Sequence, residues 1–252
     1  MFVRFVQLKV STEYLKTLQG FYEKIVIPEL QKIHGCQYAC LIQSGNSPDE
    51  FVSMTFWDTK KEAEDYEKSG VYQSLLNQTK PFLAESSEWK IKLSDDFELK
   101  YEPVAEEPVL KEYSVAAQSG DKPSDEAQNP RMYVRIVSAK IKEGKMDEFK
   151  KLYADIIIPT LKKTAGCQYA YLTESMQEEN QIISLTIWDS KEDADRYEKS
   201  GRFSELVEKV KHTFSELYQW KMALEKETGK KAKTSEDLEV SRYSIVTGKS
   251  FH

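Results

Sequence analysis

The chain has 252 residues, 40% hydrophobic and 12% aromatic, enough to bury one large core or two ordinary ones, which excludes a disordered polymer. Its formal charge is −6 and its lysines are interspersed with acids, as in Lys60-Lys-Glu-Ala-Glu-Asp65, so a nucleic-acid partner is disfavoured. Apolar runs are strand-sized, and the start of the chain lacks the basic-then-apolar pattern of a secretory signal, so neither a membrane nor export is expected.

The first strand is Phe2 to Val10, with apolar residues on both parities: Phe2, Val6, Leu8 and Val10 on one, Val3 and Phe5 on the other. Arg4 interrupts the first set. Gly35-Cys-Gln-Tyr-Ala39 follows an intervening helix and opens a second strand carrying Tyr38. The punctuation Asn46-Ser-Pro-Asp49 turns that strand into a third, which ends on Trp57. Thr59-Lys-Lys-Glu62 is a capping box, so a second helix starts there and breaks at Ser69-Gly70. A fourth strand is expected around Trp89. The polar stretches Glu102 to Pro108 and Ser119 to Pro130 read as a linker spanning 102–130, interrupted by a short strand near 109–116.

From residue 131 the pattern starts again. Gly166-Cys-Gln-Tyr-Ala170 repeats Gly35 to Ala39 at an offset of 131, and the offset holds without a gap from Val134-Arg135 to Trp220-Lys221. Tyr133 to Ile141 is therefore strand. Met146, Phe149, Leu152, Tyr153 and Ile156 have helical spacing, and Pro159 should kink or restart that helix. Cys167 to Thr173, with Tyr169, and Gln181 to Trp188 form a hairpin. A helix follows from Ser190, and Glu216 to Leu224 is a fourth strand. A tail over 226–252 ends in a strand near 239–246, the relative of the one at 109–116. The expected units are thus 1–101 and 131–225, each owning a detached strand that crosses to the sister's sheet.

Strand, helix, strand, strand, helix, strand is the split arrangement of a ferredoxin-like α+β unit. Its helices cover one face only. Since the other face is also apolar, the two units should pack sheet to sheet as a dimer within one chain. Assembly of further copies is compatible with this but is not specified by it.

With its strand-end Trp ahead of a helix and a Ser-containing break, Leu185-Thr-Ile-Trp-Asp-Ser-Lys-Glu-Asp-Ala-Asp-Arg-Tyr-Glu-Lys-Ser-Gly201, like Met54 to Gly70, resembles the antibiotic biosynthesis monooxygenase-like members of the dimeric α/β barrel superfamily. The resemblance implies an intramolecular dimeric α/β barrel and a small-molecule pocket between sheet and helices. There a cofactor-free oxygenase would let an aromatic or quinol-type substrate activate dioxygen itself, with neither flavin nor metal. The haem-degrading branch of the superfamily uses an Asn on the first strand and a His on the second helix. The matching places are Val6 and Val137, and near Leu76 and Val207, so haem degradation is disfavoured.

Several residues are candidates for substrate binding. Arg4 and Arg135 need an anion, either an acid such as Asp58 or Asp189 or a phenolate ligand. Trp57, Trp188, Tyr38 and Tyr169 are either core or pocket wall. His212 falls on the helix expected to line the pocket, with surface exposure as the alternative. No metal-ligand spacing occurs among the histidines and cysteines, and Cys36 and Cys40 would lie ~13 Å apart on one strand, beyond bridging. Free thiols point to a reducing cytoplasm. The competing function is a non-catalytic barrel that binds a small ligand or serves as a scaffold.

Overall fold

The computed structural model describes residues 1–93, 99–105, 107–119, 132–215 and 238–251, with side chains left aside at 86–93, 99–105 and 238–240. In the first unit the order is β1 (Phe2–Lys9), α1 (Leu15–Phe21), a π-helical turn (Tyr22–Val26), α2 (Ile27–Leu30), β2 (Cys36–Ser44), β3 (Glu50–Trp57), α3 (Lys60–Lys68), α4 (Val71–Thr79) and β4 (Glu85–Leu93). Then come β5 (Leu99–Ala105) and β6 (Val109–Gln118). The second unit has β7 (Tyr133–Lys140), α5 (Met146–Leu152), a π-turn (Tyr153–Ile157), α6 (Ile158–Lys162), β8 (Cys167–Ser175), β9 (Gln181–Trp188), α7 (Lys191–Lys199), α8 (Arg202–Val210) and, after residues outside the description, β10 (Leu238–Ser250). Among the described residues no helix is long and apolar enough to cross a membrane.

The two prolines act where the sequence places them, with a specific result. Pro28 and Pro159 each sit at the second residue of a restarted helix, directly after the π-turn. Proline has no N–H and crowds the turn before it, and a widened π-turn absorbs both effects without ending the helix. The helix over Thr59 is fixed by a reciprocal cap: Glu62 N donates to Thr59 Oγ1 (3.3 Å) and Thr59 N to Glu62 Oε2 (3.0 Å). Ser190 caps α7 by accepting from Asp193 N. Gly70 and Gly201, both near φ +80°, turn the chain sharply between the paired helices α3 and α4 and between α7 and α8.

Eight strands close into one antiparallel barrel in the order β1-β3-β2-β10-β7-β9-β8-β6. Closure leaves no sheet edge open. The detached strands do more than cross over. β6 pairs with β1 of its own unit (Val3 with Tyr113) and with β8 of the sister (Val115 with Thr173). β10 likewise lies between β7 and β2. Each occupies the place beside the first strand that the fourth strand of a ferredoxin-like unit would take. In the first unit that fourth strand, β4, starts against β1 through the Val10–Leu83 bridge, then leaves to form a two-stranded ribbon with β5. The corresponding strand expected at Glu216 to Leu224 lies outside the described residues.

Alternation along the strands sorts the core into three layers. On the outer face of the first unit, Phe2, Leu8, Leu41 and Trp57 pack under Leu18, Tyr22, Ile27 and Leu75 of the helices. The second unit repeats this with Tyr133, Leu172, Trp188, Phe149 and Leu206. The inner face is shared: Val3, Met54 and Phe56 meet Val134, Leu185 and Ile187 inside the barrel, almost all of them fully buried. Here lies the covered second face that the two-parity pattern demands. At roughly 1.5–3 kcal/mol per buried large apolar side chain, this shared layer is what ties the units together.

Candidate functional site

Outward-facing residues of β1 and β3 and the inner surfaces of α1, its π-turn and α4 enclose a cavity of about 60 Å³ in the first unit. A twin of about 50 Å³ lies in the second. Arg4, Val6, Tyr22, Ser53, Tyr66 and Leu76 line the first, and Arg135, Val137, Tyr153, Ser184, Tyr197 and Val207 the second. Most of the wall is aliphatic or aromatic. Among the described residues one arginine in each is the only charged group on it.

Arg4 is 2% exposed. Its Nη1 donates to the Ala63 carbonyl (3.1 Å), its Nη2 to Glu67 Oε2 (2.8 Å), and its Nε faces Glu112 Oε1 of β6 at 3.3 Å. The guanidinium also lies over the Tyr72 ring, 5.0 Å from its centroid. Arg135, equally buried, donates from Nε to Glu198 Oε1 (2.5 Å) and lies 4.1 Å from the Phe203 centroid. Its Nη2 is buried and has no acceptor. Glu198 is shared, because Arg242 of β10 donates to its other oxygen at 2.5 Å. Burial pushes the Glu198 carboxyl up, but the two guanidiniums outweigh it and hold the group below its ordinary value. Asp58 and Asp189, the acids expected to meet these arginines, instead accept from Gln37 and Gln168 at the barrel rim. The correct partners sit 63 residues on, at the far end of α3 and α7, where the helix turns them back over β1 and β7.

Deep in each cavity is a hydroxyl pair. Tyr22 Oη lies 2.9 Å from Ser53 Oγ and donates to the Cys40 carbonyl at 3.1 Å. Tyr153 Oη lies 2.6 Å from Ser184 Oγ. Burial raises both phenols well above their usual values, so they stay protonated and serve as hydrogen-bonding groups rather than bases. Burial likewise raises Tyr66 against the opposing pull of Arg4, and pushes Tyr197 up to about 12. The lining therefore offers a cation, neutral hydroxyls and an apolar slot, with no carboxylate, imidazole or thiol on the wall. It can hold and stabilise an oxyanion.

Three sets of candidates lie off the cavity walls, on the core or surface alternative that the sequence offered for each. Trp57 and Trp188 do not wall the cavities: each lies behind a tyrosine, Trp57 stacked on Tyr66 at 5.2 Å and Trp188 tilted against Tyr197 at 5.1 Å, with Nε1 donating to Thr55 or Thr186 at 2.9 Å. Tyr38 and Tyr169 face the interior of the barrel instead. The cause is a β-bulge: Cys36 pairs with Trp57 but Tyr38 with Phe56, so one extra residue flips the strand's faces, and the same slip separates Cys167 from Tyr169. His212 ends up in the 3-10 turn after α8, half exposed, 2.8 Å from Glu148 and away from the lining. His34 is exposed beside Glu62. Among the described residues no group of three His, Cys, Asp or Glu stands ready to hold a metal. Val6 with Leu76, and Val137 with Val207, do line the cavities, with aliphatic carbon where the haem-degrading branch has Asn and His.

The hydroxyl pairs and the glutamates were missed in sequence. Their signal was present, since Tyr22, Ser53 and Glu67 recur as Tyr153, Ser184 and Glu198 at the common offset. A serine recurring at a helix-facing position of an otherwise apolar strand was the clue.

Residues 132–209, most of the second unit, match the family model for antibiotic biosynthesis monooxygenase. Among curated proteins none matches. Solved structures share the fold over nearly the whole chain. A provisionally named monooxygenase of Fusobacterium nucleatum subsp. nucleatum superposes with a TM-score of 0.68 at 9% identity, covering 99% of this chain and 94% of that one. One from Lactobacillus acidophilus NCFM gives 0.65 at 9% identity, with 99% and 95% covered. An anthrone oxidase-like protein gives 0.59 at 12%, with 99% and 92% covered. At these identities the likeness is one of fold.

Proposed function

We propose that this chain takes a small aromatic or quinol-type compound into the cavity between sheet and helices and oxidises it with dioxygen, using no flavin or metal. The observation that carries the reading is the single buried arginine on an otherwise apolar wall. A guanidinium in that setting favours the deprotonated form of a phenol or enol bound beside it, by Coulomb attraction that water does not screen. An ionised electron-rich ring is the form that gives an electron to dioxygen. The balance then closes without an external reductant: a ring CH₂ loses two hydrogens and gains one oxygen as a carbonyl, and the second oxygen leaves as water. The protein's own part is to bind the ring among Phe149, Tyr197 and Leu206, to orient its oxygen toward the arginine, and to exclude solvent.

The cavity volume sets a condition. At about 60 Å³ the slot is smaller than a fused-ring substrate, so α4 or α8 has to lift from the sheet to admit one. The glycine hinges Gly70 and Gly201, each joining a short helix to the one before it, are where that motion has least resistance. The same small volume favours a second reading, a barrel that binds a small ligand without chemistry. Oxygen uptake with a panel of anthrols and quinols separates the two. Saturable uptake that falls in Arg135→Gln supports oxidation. A flat trace from folded protein that still binds the compounds establishes the second reading.

A further inference from the structure

The twin cavities are related by the internal repeat, yet the strands that close the barrel bring opposite charges to the ion-pair cluster around each wall arginine, without joining the lining. Beside Arg4, β6 contributes Glu112, whose side chain is 18% exposed and whose Oε1 is 3.3 Å from Nε. That arginine therefore faces two carboxylates, Glu67 and Glu112. Beside Arg135, β10 contributes Arg242 at the corresponding place, one residue before a tyrosine in each strand, Tyr113 and Tyr243. There a single carboxylate, Glu198, serves two guanidiniums. Counted by ion pairs among the described residues, the first cluster carries one negative charge in excess and the second one positive, with Asp195 acting on Arg242 from beyond pairing distance.

Each arginine keeps one buried donor without a hydrogen bond, but the two differ in what faces it. Both Nη atoms of Arg4 have oxygen acceptors, Ala63 and Glu67, and its Nε, though it makes no hydrogen bond, lies 3.3 Å from the Glu112 carboxylate. Arg135 keeps a buried Nη2 with no acceptor at the wall of its cavity. A buried guanidinium N–H without a partner costs free energy, which an oxyanion in the cavity would recover. Tyr72 beneath Arg4 is replaced by Phe203 beneath Arg135, so the second arginine has one phenol fewer beside it, Tyr197 remaining at 5.8 Å from its guanidinium.

We infer that the two cavities have diverged: the second binds the oxyanion of a small aromatic ligand, Arg242 of β10 sets that preference, and Glu112 of β6 closes the first cavity to anions. The inference rests on reading these cavities as ligand sites. It adds the charge class of the ligand and which unit takes it.

The test uses the full chain and two probes of one shape, 4-nitrophenolate and the neutral 4-nitroanisole, with sites assigned from the methyl NMR signals of Val6 and Val137. One nitrophenolate is expected per chain, at Val137, with the probe's own pKa lowered by about one unit on binding. Arg242→Gln should weaken it about tenfold, while nitroanisole binding is unchanged. Glu112→Arg should add a second nitrophenolate, at Val6. Both substitutions lie on partly exposed positions, and far-UV dichroism with the retained nitroanisole site reports that the barrel is intact. Equal nitrophenolate binding at Val6 and Val137, or indifference to both substitutions, overturns the inference and leaves the ligand-site reading standing. Binding of neither probe at either cavity overturns both.

Discussion

Replacing Glu198 by Gln should destabilise this protein far more than replacing its repeat mate Glu67. Glu198 is 22% exposed and bridges Arg135, 3% exposed, and Arg242. Glutamine keeps the shape but presents an NH₂ to one of the guanidiniums, leaving a buried cation without its counterion. Breaking a buried pair in this way costs about 3–5 kcal/mol, reduced here to about 2–4 because Glu198 and Arg242 are partly solvated. Glu67 is 48% exposed, and Arg4 retains Glu112 and the Ala63 carbonyl, so Glu67→Gln should cost about 0–1 kcal/mol. Urea unfolding at neutral pH reads the difference, as a midpoint about 1 M lower for Glu198→Gln than for the unsubstituted protein. The sign with pH is also fixed. The carboxyl of Glu198 is held below its ordinary value in the folded state, so its contribution is fully present above the unfolded-chain value near ~4.3 and is lost as pH falls through the lower folded value. The deficit of Glu198→Gln should therefore be constant from neutral pH to about 5 and shrink below about 4. Equal losses in the two variants, or a deficit that persists in acid, would refute the charge accounting on which the cavity arguments stand.

Leu185→Ala removes a side chain with no solvent exposure from the layer shared by the two units, and should cost about 2–5 kcal/mol in unfolding free energy while leaving both helix layers untouched. Gly248→Ala places a methyl 2.7 Å from Cys40 Cβ and should lower the melting temperature, through about 1–3 kcal/mol of overpacking between β10 and β2. A stability equal to that of the parent would show that the two strands are not held at this distance. Burial pushes the Cys40 and Cys167 thiols up to about 12, and that of Cys36 upward as well, so a thiol-specific reagent at pH 8 should modify them no faster than the chain unfolds. A rapid native-state reaction at any of the three contradicts this.

The repeat made most of the barrel legible. Two-parity strands such as Phe2 to Lys9 required a cover for the second face, and the sister unit is where a tethered cover comes from. The strand near 109–116 was visible too, but its place between β1 and β8 was not. Nothing in Val109 to Ala116 says that it displaces the fourth strand from β1, because that choice is made by backbone pairing, which any extended segment can offer. At the site, Arg4 and Arg135 were legible as charges in apolar strands. That Tyr38 faces away from Cys36 was not legible, because a single bulged residue inverts a strand's faces and leaves no trace in the alternation up to that point. Glu67 was hidden for another reason: it ends a charged helix among many solvated acids, and only the fold of α3 over β1 separates it from them.

The position of β10 in the chain has a kinetic consequence. Its register joins Tyr243 to Ser44 and Lys249 to Ala39, residues roughly 200 positions apart, whereas β1, β2 and β3 find one another within a single unit. During synthesis β2 must therefore wait, with one flank unpaired, until every other described element has left the ribosome. At about 5–20 residues per second that interval is on the order of 10–40 s. In that time the nascent first half presents a bare strand to any neighbour, including another nascent copy of itself. The exchange of β10 between two chains is the misassembly that crowded translation should favour.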